Sequence, residues 1–263
     1  MPGPLVYAHR GGAKLRPENT LAAFDNGLAL GADGLELDVR LSRDGQVVIH
    51  HDAALHRTTG ATGFVADHTA AELAEVDAGY RFQARDGGEA AFPFRGTGLG
   101  IPTLATVFER YPGVPLIIEL KLASAELARK TLELASAARA LERIAIGSFS
   151  GEALRAAREL APGVRTGAGR DETRWALYRS WVRWPLGRPA YQEFQVPERS
   201  GRTTVVTRRF VEHAHRASVA VKVWTVDEEA DMHRLLDWGV DGLISDRPDV
   251  AVAVVSARAS RRS

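Results

Sequence analysis

The sequence predicts an α/β fold, a (β/α)8 TIM barrel with a small insertion at its mouth. Short apolar strands alternate with helical stretches along the whole chain. About eight such strands fall within 263 residues. Titratable residues recur where those strands end. Strands alternating with helices of ~10–15 residues imply βαβ units and a parallel sheet. A chain near ~250 residues is the usual size of one α/β barrel rather than of two average domains.

In order, the strand patterns fall at 5–9, 34–41, 46–50, 116–121, 144–148, 164–167, 220–225 and 242–245. A further strand falls near either 192–196 or 203–206. Helical patterns fall between them at 20–30, 103–111, 125–140, 152–160, 208–216 and 228–238. Residues 52–100 break the rhythm with one short helical pattern near 69–76, so a single barrel domain over 1–263 with an insertion at about 52–100 is expected. Loops of that length inside compact domains are functional lids or small inserted units. The stretch 174–188 interleaves Trp175, Trp181 and Trp184 with Arg174, Arg179, Arg183 and Arg188. It reads as a helix covering the barrel with snorkelling arginines, or as an interfacial lip in peripheral contact with a membrane.

Composition narrows the function classes. Lys+Arg 34 against Asp+Glu 33 leaves a net charge of +1, so no global basic field favours nucleic acid. With no cysteine, thiolate nucleophiles, disulfides and Cys-ligated metals are excluded. No apolar run approaches the ~18 residues of a membrane span. The N-terminal residues do not resemble a signal peptide, so a cytoplasmic location is the default expectation.

In a barrel, the C-terminal strand ends and the loops after them build the active site. Those ends carry His9-Arg10-Gly11-Gly12, Glu36-Leu37-Asp38, His50-His51-Asp52, Glu119-Leu120-Lys121, Ser148-Phe149, Trp224-Thr225 and Ser245-Asp246. Glu36 and Asp38 share a strand face, as do Glu119 and Lys121. Three converging carboxylates repel unless a cation lies between them, and an all-oxygen set suits Ca²⁺ or Mg²⁺ over zinc. Two histidines across one pocket, His9 and His51, can serve as general acid and base near neutral pH. Only one of His50 and His51 can enter the barrel, and Val47-Val48-Ile49 gives no alternation to choose between them. Arg10 offers a planar fork to a phosphate oxygen. Gly11-Gly12 would let backbone amides approach an anion. Asn19 reads as a helix N-cap. Trp224 is either a stacking wall for substrate or a barrel-core aromatic.

The ordered motifs Ala8-His9-Arg10-Gly11-Gly12, Pro17-Glu18-Asn19-Thr20, Glu36-Leu37-Asp38-Val39, His51-Asp52 with Arg57-Thr58-Thr59, and Ile101-Pro102-Thr103-Leu104 carry a resemblance. Ile118-Glu119-Leu120-Lys121, Ser148-Phe149, Val223-Trp224-Thr225-Val226 and Gly239-Val240-Asp241-Gly242 continue it. Together they resemble the glycerophosphodiester phosphodiesterase family from Val6 to Pro248. The resemblance implies a (β/α)8 barrel that hydrolyses glycerophosphodiesters to sn-glycerol 3-phosphate and an alcohol. It implies one divalent cation, commonly Ca²⁺ or Mg²⁺, on Glu36, Asp38 and Glu119. It also implies His9 and His51 as the acid/base pair, with Arg10 and Lys121 on the phosphate. His51 is preferred to His50 because the family's histidine directly precedes an aspartate. Departures are slight: the doubled His50-His51, Ser218 where glycine is common, and Ser245 where threonine is common. Alternative readings are phospholipase D-type hydrolysis of lysophospholipids, a non-catalytic metal- or phosphate-binding barrel, and a phosphoinositide-type phospholipase C. The last is disfavoured because the matching motifs run well past a shared histidine–carboxylate core.

Overall fold

In chain order the elements are β1 (Leu5–His9), α1 (Leu21–Ala29), β2 (Gly34–Leu41), β3 (Val47–Ile49), α2 (Ala70–Ala74), α3 (Leu104–Arg110), β4 (Leu116–Leu120) and α4 (Ala125–Ala137). They continue with β5 (Ile144–Gly147), α5 (Gly151–Leu160), β6 (Arg165–Thr166), α6 (Arg170–Trp181), β7 (Glu193–Pro197), β8 (Arg199–Ser200) and β9 (Thr203–Thr204). The chain ends in α7 (Arg208–His215), β10 (Ala220–Trp224), α8 (Glu229–Asp237), β11 (Gly242–Ser245) and α9 (Pro248–Ser260). This is a computed structural model describing residues 3–84 and 91–260.

Eight strands run parallel in the order β6-β5-β4-β2-β1-β11-β10-β7. A single parallel bridge, Gly167 to Glu193, joins the two ends of that path and nearly closes the barrel. One strand assignment differs from the sequence-based expectation. The apolar run 46–50 is not a barrel stave: β3 pairs antiparallel with the far end of β2, Val39 opposite Ile49 and Leu41 opposite Val47. Only residues 42–46 separate the two strands. A parallel return needs a crossover of about a dozen residues or more, so a link this short permits only a hairpin. Of the two candidates for the further strand, 192–196 supplies the barrel strand β7, while 203–206 contributes only to the small β8–β9 hairpin.

Helix starts follow local chemistry. Thr20, Thr69, Thr103, Ser124, Ser150 and Thr207 each accept a backbone N–H from the first turn of the helix they precede. Asn19 is therefore not the N-cap of α1, as expected from sequence; its neighbour Thr20 is, accepting from the Ala23 amide. Outside the barrel, Leu35, Leu37, Val39 and Ile118 are buried in one core with Phe24, Leu104 and Val107. Inside it, Tyr7, Ile117, Ala145 and Ile244 form a smaller cluster. Among the described residues no helix is long and apolar enough to cross a membrane.

The floor of the barrel is polar. Lys222 Nζ lies 2.8 and 2.9 Å from the two Glu193 carboxylate oxygens and 3.3 Å from the Tyr7 hydroxyl. Gln195 Nε2 donates to the same carboxylate at 2.7 Å. Glycine makes room for this group: a Cβ on Gly147 would stand 2.4 Å from Gln195 Oε1. Removing one partner of a buried ion pair strands the other charge, at a cost of roughly 3–5 kcal/mol. Lys222→Met is accordingly expected to destabilise the protein by about that amount in urea denaturation, and Lys222→Met with Glu193→Leu by much less.

Candidate active site

Strand register assembles the site. Side-by-side pairing of His9 with Glu36 on β1 and β2, and of Asp38 with Glu119 on β2 and β4, lines these residues along one rim. Oxygens of Glu36, Asp38 and Glu119 all lie within 4.8 Å of one another. Lys121, one residue beyond β4, reaches back with Nζ 3.0 Å from Asp38 Oδ1 and 2.8 Å from Glu119 Oε2. His9, Arg10, Glu36, His51, Glu119, Lys121 and Trp224 line a single cavity of about 790 Å³. Every residue expected at the site thus borders that cavity except Asp38, which is fully buried beneath it.

Asp38 is held ionised from three sides. Asn19 donates its amide to Oδ2 at 2.8 Å and accepts the Asp38 backbone N–H at 3.3 Å. Arg10 Nε stands 3.1 Å from the same oxygen. Burial opposes the charge, but Lys121 and Arg10 outweigh it and hold the Asp38 carboxyl below its ordinary value. Glu36 is the opposite case. Burial and the Asp38 charge push it up to about 7, against a partial relief from His9. Among the described residues, Glu119 Oε1 is buried with no hydrogen-bond partner. An unpaired buried oxygen and a carboxyl forced toward neutrality beside two others are the strains a hard dication relieves, so this donor set fits Ca²⁺ or Mg²⁺.

Each histidine has a carboxylate behind it. His9 Nδ1 donates to Asp246 Oδ1 at 2.6 Å, and its Nε2 lies 3.7 Å from Glu36. Burial works against its charge, but Glu36 and Asp246 outweigh burial and raise its pKa. His51 Nδ1 donates to Asp52 Oδ1 at 2.6 Å, and burial lowers its pKa. Arg40 pins the His51 carbonyl with Nε at 2.9 Å and Nη2 at 2.8 Å. His50, by contrast, is buried away from the cavity, donating Nδ1 to the Asp52 carbonyl and taking the Thr58 hydroxyl on Nε2.

A carboxylate–guanidinium chain ties these parts together. Arg10 Nη1 contacts Glu18 at 2.9 Å, and Glu18 takes both Nη atoms of Arg57 at 2.6 and 2.8 Å. Arg57 Nε also binds Asp52, which is held down to about 2 against burial by Arg57 and His51. Sequence reasoning placed Asp246 at an active-site strand end without giving it a role, and missed Asn19, Glu18, Arg40 and Arg57 as parts of the site. For Glu18, Asn19 and Arg57, their presence in quoted motifs was the available signal. The expected anion contact at Gly11-Gly12 is not what the structure shows. Both amides are used in the turn, donating to the Ala8 and His9 carbonyls. These glycines serve backbone shape and packing: Gly11 has φ +86°, and a Cβ there would stand 2.6 Å from Ala23.

The matched family model is the "Glycerophosphoryl diester phosphodiesterase family", over residues 9–250. A glycerophosphodiester phosphodiesterase from Caldanaerobacter subterraneus subsp. tengcongensis is 34% identical over 260 residues, covering 95% of this chain and 97% of that one. A probable glycerophosphodiester phosphodiesterase from Mycobacterium tuberculosis is 36% identical over 266 residues, covering 97% and 92%. Among solved structures, an Oleispira antarctica phosphodiesterase in complex with the product sn-glycerol-3-phosphate superposes with a TM-score of 0.75. It is 26% identical and 97% of each chain is covered.

The strained carboxylates give a stability signature. Glu36 in the folded protein binds its proton more tightly than when unfolded, so its ionisation destabilises the fold as pH rises from its ordinary 4.5 to about 7. By linkage the loss above that window is on the order of 3 kcal/mol. Denaturation with chelator present should show it in the native protein and not in Glu36→Gln. Added Ca²⁺ or Mg²⁺ should restore stability above the window only in the native protein.

Proposed function

Because this chain belongs to the glycerophosphoryl diester phosphodiesterase family and is a phosphoric diester hydrolase, we propose that its cavity cleaves glycerophosphodiesters to sn-glycerol 3-phosphate and an alcohol. The observation that carries this reading is the convergence of His9, His51 and the Glu36–Asp38–Glu119 cluster on one mouth of the barrel. The product named for the Oleispira antarctica neighbour supports it. The domain organisation proposed is one barrel with residues 52–100 inserted beside that mouth. Residues 85–90 of that insertion lie outside the described residues. The Arg57 contacts to Glu18 and Asp52 support placing it there.

Glu36, Asp38 and Glu119 would hold the divalent cation, Ca²⁺ or Mg²⁺. Bound there, it supplies Lewis-acid stabilisation of charge on the phosphoryl oxygens. The chain's own residues do the rest. Arg10 and Lys121 place positive charge where the non-bridging oxygens would accumulate negative charge. His9 and His51 handle protons: one takes the proton of the attacking hydroxyl as its oxygen bonds to phosphorus, and the other gives one to the departing alkoxide as the P–O bond to the alcohol breaks. Water as nucleophile gives sn-glycerol 3-phosphate directly; the substrate's own glycerol hydroxyl gives a cyclic phosphodiester first, which water then opens to the same product with the two proton roles exchanged. Their opposite shifts support this pairing: Glu36 and Asp246 favour the protonated form of His9, and burial favours the neutral form of His51. Asp246 and Asp52, each on an Nδ1, fix the tautomer and present Nε2 to substrate. Trp224, packed edge-on against Phe149 at 6.0 Å, forms an apolar wall beside the phosphate position.

That wall favours a second reading. Phe149, Trp224, Tyr178 and Trp181 border the same cavity and would accept an acyl chain, as in phospholipase D-type cleavage of lysophospholipids. A panel of glycerophosphodiesters and lysophospholipids, each with Ca²⁺, Mg²⁺ or chelator, separates the two. Release of choline from glycerophosphocholine ahead of lysophosphatidylcholine supports the first reading, and the reverse order the second.

His9→Ala and His51→Ala are each expected to lower kcat by about 10²–10⁴-fold with the fold retained, measured by product release and circular dichroism. His50→Ala should chiefly cost stability. Full activity in His51→Ala would overturn the assignment. Asp246→Asn and Asp52→Asn should lower kcat with little change in KM, because they act through the imidazoles.

A further inference from the structure

Helix α6 presents an unusual outer face. Its inner side is ordinary: Ala176, Leu177 and Ser180 are buried against the barrel. Its outer side carries Trp175, Tyr178 and Trp181 at three-residue spacing, a ladder of rings packed edge-on and then tilted, with centroids 6.3 and 5.2 Å apart. Val182 and Trp184 extend it, and Trp175 and Trp184 are 66% and 65% exposed. A surface helix normally turns polar residues outward, and a contiguous exposed apolar patch marks an interaction surface.

The charge around the ladder selects its occupant. Residues 170–188 hold five arginines against two acidic residues, in a chain whose net charge is only +1. One of those acids, Glu172, is already paired with Arg158. Arg183 and Arg188 are exposed and make no ion pair among the described residues. A second copy of this chain docking symmetrically would set arginine against arginine, and protein interface cores are depleted of charge. Tryptophan and tyrosine with flanking arginines are instead the composition of an interfacial segment, with rings at headgroup depth and guanidinium groups on lipid phosphates. The surface is also continuous with the active-site mouth, because Arg174, Tyr178 and Trp181 line the cavity that reaches Glu119 and Lys121.

We propose that α6 and the turn through Arg188 form a docking surface for anionic lipid bilayers, holding the cavity's mouth against the membrane. Attraction to anionic headgroups is worth about 1 kcal/mol per basic side chain at the surface, or roughly fivefold in partitioning. The proposal concerns binding alone and holds whichever phosphodiester is cleaved.

The test is co-sedimentation of the intact protein with phosphatidylcholine vesicles, with and without phosphatidylglycerol. Binding should require phosphatidylglycerol and weaken with added salt. Arg183→Gln with Arg188→Gln should lower partitioning by roughly 25-fold, from the fivefold per arginine above. Trp175→Ala with Trp184→Ala should lower it at least tenfold on the order of lost ring burial. Neither double variant touches the catalytic groups, so hydrolysis of a water-soluble diester should be unchanged in both, which also reports that the fold is intact. No binding of the native protein to anionic vesicles overturns the proposal. So does binding that both variants retain. A native dimer in sedimentation equilibrium that the tryptophan variant dissociates would assign the face to a second copy and overturn it too.

Discussion

A fully buried carboxylate, Asp38, sets the terms for the rest of the site. Leaving it uncompensated would cost several kcal/mol, so its neighbours are arranged to keep it charged. Asn19 turns into the left-handed region, φ 58°, with its amide on that carboxylate. The next residue, Thr20, then starts α1. Arg10 also sits at positive φ, 50°, with its guanidinium between Asp38 and Glu18. Lys121 closes the third side. Two of these residues, Arg10 and Lys121, are also the ones proposed to meet the phosphoryl group.

From Asp38 the electrostatic chain runs outward through Arg10, Glu18 and Arg57 to Asp52 and His51. His51 lies beyond the barrel staves, on the loop after β3, so strand geometry alone does not hold it. Arg57 and Arg40 supply what the sheet does not, one through Asp52 and the other through the His51 carbonyl. The two histidines are therefore positioned by different means: His9 by pairing with β2 and by Asp246, His51 by an ion-pair network. Members of such a network are coupled, so their substitutions should not add independently.

Much of this was legible in the sequence because period and spacing are local properties. The residues at the strand ends converge because (β/α)8 topology brings every C-terminal end to one face. What failed was long-range or one-sided. The run 46–50 has the composition of a buried strand, and only the shortness of its link to β2 reveals a hairpin. Asn19 looks like a cap until its contact with Asp38, nineteen positions away, is seen. His50 and His51 could not be separated by alternation because β3 ends at Ile49, before either. Helix α6 was anticipated only within 174–188, and its bounds were not set, because apolar residues on both its faces erase the amphipathic period. α9 was hidden by the alternating Val250 to Val254, which reads as strand.

The polar group at the barrel floor has a consequence for traffic. Lys222, Glu193, Gln195 and Tyr7 fill the interior below the catalytic rim, with Ile117 and Ile244 packed beside them. The cavity ends at this layer: Gln195, Ile117 and Ile244 line it, and Lys222, Glu193 and Tyr7 do not. On the proposed function, both fragments of a cleaved diester would leave by the opening through which the substrate entered. The order in which they leave would then depend on which one Arg10 and Lys121 release first, and the anionic phosphate fragment is the one they would retain longer.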